Sequence, residues 1–159
     1  MAKYVWDERY GLGVPVVDEQ HRHWFELTNT FLELAKAGGA DTAAVRQALA
    51  AAVGHARIHF RAEEALMRRI RFPRSEFEWH KMTHDAFVER INALAKRCRE
   101  GRPRVIAEMS AFMAGWLTKH ILEADVKYVG FYMSRTATFL GDYVARLRAK
   151  TSRRMRSST

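Results

Sequence analysis

Four stretches of this chain repeat apolar side chains at steps of three and four, and every one of them carries histidine inside the apolar stripe. The second stretch reads Val45, Leu49, Ala52, Ala56, His59, Glu63, Leu66 and Ile70. The third reads Phe77, His80, His84, Phe87, Ile91, Leu94 and Cys98. Such spacing places all these side chains on one face of an α-helix. The first stretch, from about Asp18 to Ala37, groups Trp24, Phe25, Phe31, Leu32 and Ala35 with His21 and Thr28. The fourth runs from about Pro103, a residue suited to a first helical position, through Ile106, Met109, Met113, Trp116 and His120. Gly38-Gly39, Phe72-Pro73 and Gly101-Arg102-Pro103 separate the stretches, and a further break is expected near Gly130. Ser75-Glu76-Phe77-Glu78 has the form of a capping box for the third helix. No alternation long enough for strands competes. The expectation is an all-α fold, an antiparallel up-down-up-down four-helix bundle with an N-terminal arm and a short fifth helix from about Ser134 to Lys150. Residues 1–133 form the arm and bundle in this reading, and residues 134–159 the C-terminal helix and a basic tail.

Burying one polar side chain without a partner costs a few kcal/mol. A single core histidine is easily satisfied by a hydrogen bond, but His21, His59, His80, His84 and His120, with Glu63, put six polar groups in four stripes. Metal ions held by imidazole and carboxylate are the economical explanation. His80 and His84 are four residues apart, as are His59 and Glu63, so each pair shares a helix face. His55 falls just off its stripe and His23 on nearly the opposite face from His21, which makes both bystanders. Cys98 is the chain's only cysteine, which excludes an internal disulfide and any Cys-based zinc or iron–sulfur site.

The remaining composition narrows the function classes. No apolar run approaches a membrane span and no signal-type segment opens the chain, so a cytoplasmic protein is expected. The net charge of +9 is concentrated in the last 14 residues, where Arg146, Arg148, Lys150, Arg153, Arg154 and Arg156 give +6 with no acid. Such a tail is read as a solvated terminus rather than a nucleic-acid or anionic-membrane handle, and no aromatic residue is interleaved with its arginines to stack on bases.

Asp18-Glu19-Gln20-His21, His59-Phe60-Arg61-Ala62-Glu63-Glu64 with Met67, His80-x-x-x-His84, and Trp116-Leu117-x-x-His120-Ile121-x-x-x-Asp125-x-x-Tyr128 together resemble the hemerythrin family, in its single-domain bacterial form. The resemblance spans about residues 4 to 132. It implies two non-haem irons joined by an oxo or hydroxo bridge, with His80, His84 and His120 on one, His21 and His59 on the other, and Glu63 and Asp125 bridging. It implies dioxygen as the ligand, taken up reversibly at one open position, for storage, delivery to oxygen-requiring enzymes or sensing. Trp24, Phe60, Trp116, Leu117 and Ile121 would line the oxygen pocket, with Trp24 standing where the family usually has leucine. Tyr128, one turn beyond Asp125, is a candidate hydrogen-bond donor to a ligand.

Carrier and catalyst are distinguished by the donor set. Ferritin-like di-iron enzymes use four carboxylates and two histidines, whereas five neutral imidazoles stabilise high-valent iron less, so a non-enzymatic protein is expected. A di-iron redox enzyme acting on peroxide or nitric oxide is the alternative. Asp125 carries its own structural expectation: five residues after His120 lie about 140° round a regular α-helix. A π-type widening between them is needed to bring both onto one face.

Overall fold

Helices form along the stripes. In the computed structural model, which describes residues 2–38, 42–102 and 104–137, α1 spans Pro15–Lys36, α2 Ala43–Arg69, α3 Arg74–Arg99 and α4 Val105–His120. No strand occurs among the described residues. Each helix packs on its two neighbours, and α4 closes the ring against α1. With short connections this is the up-down-up-down bundle expected. Pro103 and the tail beyond residue 137 lie outside the described residues. No helix among those described is long and apolar enough to cross a membrane.

The helix ends show which local signals count. Pro15 starts α1, and the buried Asp18 accepts hydrogen bonds from the Leu12 and Gly13 N–H groups at 2.7 and 3.1 Å, tying the arm to the first turn. Asn29 pins the arm further out by a reciprocal pair of bonds with the Tyr4 backbone. The capping box at Ser75 is not formed: α3 begins at Arg74, with Pro73 as an N-cap lacking a side-chain hydrogen bond. Pro73 supplies the fixed φ that starts the helix, leaving Ser75 already inside the first turn. Gly101 takes the left-handed conformation after α3, and Arg71 takes it after α2 (φ 56°), where the Phe72 N–H closes back onto the Met67 carbonyl at 2.9 Å.

The last helix does not stop where expected. Ile121–Asp125 is a π-helical turn, and residues 126–137 return to α-helix, so the chain has no break near Gly130. One glycine costs a helix about 1 kcal/mol. Tyr128 and Val129, buried with Met67 against Leu66 and Phe72, hold the segment in place. Residues 134–137 continue this same helix, and positions 138–150 of the expected fifth helix are not among those described. Two apolar clusters result, a large one reaching up to Phe60, Leu117 and Ile121, and a small one around Met67 and Tyr128. The polar residues of the stripes lie between them.

Candidate metal centre

His21 comes from α1, His59 and Glu63 from α2, His80 and His84 from α3, His120 from the end of α4 and Asp125 from the π turn. All seven are buried. The π turn does for Asp125 what a regular helix would not: the Val126 N–H reaches back to the Ile121 carbonyl, and the Asp125 carboxylate points inward with His120.

The imidazole nitrogens converge. The Nε2 atoms of His80 and His84 are 3.0 Å apart, and those of His84 and His120 are 3.1 Å apart. Adjacent donors on an octahedral ion with bonds of about 2.1 Å stand about 3 Å apart. His21 and His59 face each other across the bundle, their ring centroids 4.9 Å apart. Two donor groups result: Glu63 with His80, His84 and His120, and Glu63 with His21 and His59.

Both carboxylates divide their oxygens between these groups. Glu63 turns Oε1 to His59 (3.6 Å) and Oε2 to His80 and His84 (3.5 and 3.1 Å). Asp125 turns Oδ2 to His21 (3.2 Å) and Oδ1 to His80 and His120 (3.5 and 3.1 Å).

Hydrogen bonds on the outer edges of the rings fix the inner ones. His59 donates from Nδ1 to Gln20 Oε1 at 2.8 Å, leaving a bare lone pair on Nε2. The Thr83 hydroxyl is used as a donor to the His80 carbonyl at 2.7 Å, so it accepts from His120 Nδ1 at 3.1 Å, and His120 Nε2 is bare as well. His84 Nδ1 faces Glu64 Oε1 at 3.5 Å. Tyr128 donates to Glu63 Oε1 at 2.8 Å. Gln20, Thr83 and Glu64 are the residues that stripe reading misses. Each is a sequence neighbour of a stripe residue (His21, His84 and Glu63), on the flank of its helix, where a side chain reaches the next helix rather than the core.

The protonation states suit a cation. Burial pushes His59 down to about 4, overcoming the Glu63 charge, so the ring is neutral at physiological pH. Burial alone would raise Glu63, but the surrounding imidazoles outweigh it and hold the carboxyl well below its usual range. Asp125, raised by burial and by the Glu63 charge, is nonetheless lowered by His120 and His21. Burial and the two carboxylates drive the Tyr128 phenol well above its usual value, so it remains a donor.

The cluster is unsatisfied as it stands. Both nitrogens of His21, His59 Nε2, Glu63 Oε2 and both oxygens of Asp125 are buried with no hydrogen-bond partner among the described residues. Each such atom costs about 1–3 kcal/mol. Bare nitrogens and ionised oxygens aimed at common points fit a metal ion at each group.

A model of the hemerythrin HHE cation-binding domain matches residues 12–132. The chain belongs to the hemerythrin family. Relatives include a bacteriohemerythrin of Clostridium acetobutylicum, 28% identical over 79% of this chain and 98% of its own length. A bacteriohemerythrin of Pseudomonas aeruginosa is 30% identical over 81% of both chains. A hemerythrin-like protein of Naegleria gruberi is 33% identical over 81% of this chain and 93% of its own. The fold is similar to the crystal structure of a hemerythrin mutant, with a TM-score of 0.72 and 27% identity, covering 82% of this chain and 97% of that one.

Around the donor groups the apolar candidates are spread over both sides. Phe60 stacks on His84 (centroids 3.9 Å, planes 7° apart), and Trp116 stacks on His120 (4.2 Å, 15°). Trp24 lies beside His55 and His59, while Leu117 and Ile121 are buried. His55 and His23 stay outside the donor groups: His55 donates to the Gln20 carbonyl at 3.0 Å and His23 pairs with Glu26 at the surface.

Proposed function

We propose that this hemerythrin binds dioxygen reversibly at two non-haem irons. His80, His84 and His120 would hold one iron and His21 and His59 the other, with Glu63, Asp125 and an oxo or hydroxo bridge spanning the pair. The observation that carries this is the division of each carboxylate, one oxygen toward each histidine group. The bacteriohemerythrin relatives support iron and dioxygen over the other metals that an imidazole–carboxylate set accommodates.

A pair of irons would supply reversible two-electron exchange with dioxygen. The chain's part is to hold and to shield. Three imidazoles and two carboxylate oxygens make five donors on one side, and two imidazoles and two oxygens make four on the other, so the free position belongs to the side of His21 and His59. Trp24 and Phe60, which pack against His59, and Leu117 and Ile121, buried in the same apolar cluster, would keep water and protons from it. Tyr128 keeps its proton and fixes Glu63. We assign the protein to storage, delivery to oxygen-requiring enzymes or sensing, and not to catalysis.

The test is optical. Iron-loaded protein, reduced without air, is exposed to oxygen and then to vacuum. A visible band that comes and goes over repeated cycles is the expected result. Irreversible bleaching would replace the carrier by a di-iron redox enzyme acting on peroxide or nitric oxide, and a colourless protein that retains zinc but no iron would remove both.

A further inference from the structure

Trp24 is almost fully enclosed, at 1% exposure, and its indole N–H has no acceptor. An orphaned buried donor is rare enough in native interiors to call for a partner. None of the described groups around it accepts that bond. The ring stands edge-on to His55 (4.9 Å) and Phe87 (5.3 Å), tilted over Phe60 (6.3 Å) and edge-on to His59 (6.4 Å). The phenylalanines have no acceptor atom. His59 commits Nδ1 to Gln20 and turns Nε2 to Glu63, while His55 commits Nε2 to the Gln20 carbonyl and keeps Nδ1 as an acceptor that the indole N–H does not bond. Trp6 also has an orphaned indole nitrogen, but it sits in the arm beneath the Arg22 guanidinium, away from the donor groups.

Position sets Trp24 apart. It follows His21 by one turn of α1 and flanks His59, so it borders the side with four donors rather than five. We propose that the Trp24 N–H is a specificity-determining hydrogen-bond donor to the small exogenous ligand taken up on that side. The ligand class is a diatomic or triatomic molecule with a lone pair on its outer atom, dioxygen itself or a linear anion such as azide. The inference rests on the di-iron site proposed above. Its consequence is selective: a ligand whose outer atom accepts a hydrogen bond is retained, and one whose outer atom does not gains nothing.

Azide serves as the probe. Iron-loaded wild type, Trp24→Phe and Trp24→Leu are titrated with azide, following the visible ligand-to-metal band, with metal content measured in each. Loss of a hydrogen bond to a charged acceptor predicts about tenfold weaker azide binding in both variants, despite their different volumes. Ultraviolet resonance Raman spectra of the wild type give a second readout that needs no variant: the hydrogen-bond-sensitive indole mode should shift when azide is added. Unchanged azide affinity in Trp24→Phe overturns the proposal, as does an indole mode that azide leaves unmoved. Two metals per chain with either negative result would sink the Trp24 role alone. A wild type that fails to hold two metals would sink the di-iron site and this role together.

Discussion

On the α3–α4 side of the cluster, three imidazole nitrogens stand 3.0 and 3.1 Å apart, Thr83 and Glu64 face the outer nitrogens of two of the rings, and Phe60 and Trp116 stack on them. A cavity of about 460 Å³, lined by Trp79, Met82 and Trp116, opens against His120 from outside. On the α1–α2 side there are two histidines, both at 0% exposure, and one outer-edge hydrogen bond, from His59 to Gln20. Neither nitrogen of His21 has a hydrogen-bond partner among the described residues, although Nε2 faces Asp125 Oδ2, and Trp24 adds an unpartnered N–H. The three-histidine side is thus the better buttressed, yet it too keeps unpartnered oxygens, Glu63 Oε2 and Asp125 Oδ1, while the other side has one imidazole fewer and a single outer-edge bond. A polar site in a core is tolerable where its groups satisfy one another or a cation. Both sides keep oxygens that a cation would satisfy, and the α1–α2 side in addition has fewer imidazoles to offer it.

The comparison breaks first at Glu63, which serves both sides. Glu63→Ala should lower metal content from two per chain to below one and reduce the thermal midpoint by about 10 °C, given the stabilisation bound ligands confer and the size of the domain. His21→Ala should instead leave the three-histidine side loaded, with one metal per chain by elemental analysis. Equal loss in both variants would show that the two sides are not separable. A smaller effect sharpens the contrast. Gln20→Ala should weaken only the two-histidine metal, and Thr83→Ala only the three-histidine metal, each by roughly 10- to 100-fold in stepwise titration. A crossed effect would undo the assignment of each hydrogen bond to its own side.

The smallest effect is in the pH dependence of the metal-free chain. His59 is held neutral down to about 4 by burial, against 6.5 for a free ring. The unfolded chain therefore binds more protons between these values, and stability is lost as pH falls from about 6.5 toward about 4. Urea unfolding of chelated protein at several pH values should show this slope, and His59→Gln should reduce it, with the half-buried His55 and the buried His84 keeping a share. A slope unchanged in His59→Gln would place the titration elsewhere.

Much of this arrangement is legible in the sequence because helical periodicity is a property of one strand of residues at a time. The stripes gave the bundle and put His59, Glu63, His80, His84 and His120 indoors, and the i+5 spacing of His120 and Asp125 required the π turn that Ile121–Asp125 forms. What depends on two helices at once was hidden. Gln20 reaches His59 across α1 and α2, and Thr83 reaches His120 across α3 and α4, through a packing register that no single stripe contains. Local signals also misled: Gly130 does not end its helix because Tyr128 and Val129 are buried, and Ser75 does not cap because Pro73 takes the N-cap position two residues earlier.

Six of the seven candidate ligands project from regular α-helix, and Asp125 alone projects from the wide turn. A π turn is an α-helix carrying one residue more than its phase needs, and here the surplus bulges outward at Leu122 and Glu123, both exposed. Were the same residues wound as an unbroken α-helix, position 125 would stand elsewhere round the axis, and its carboxylate would leave the face it shares with His120.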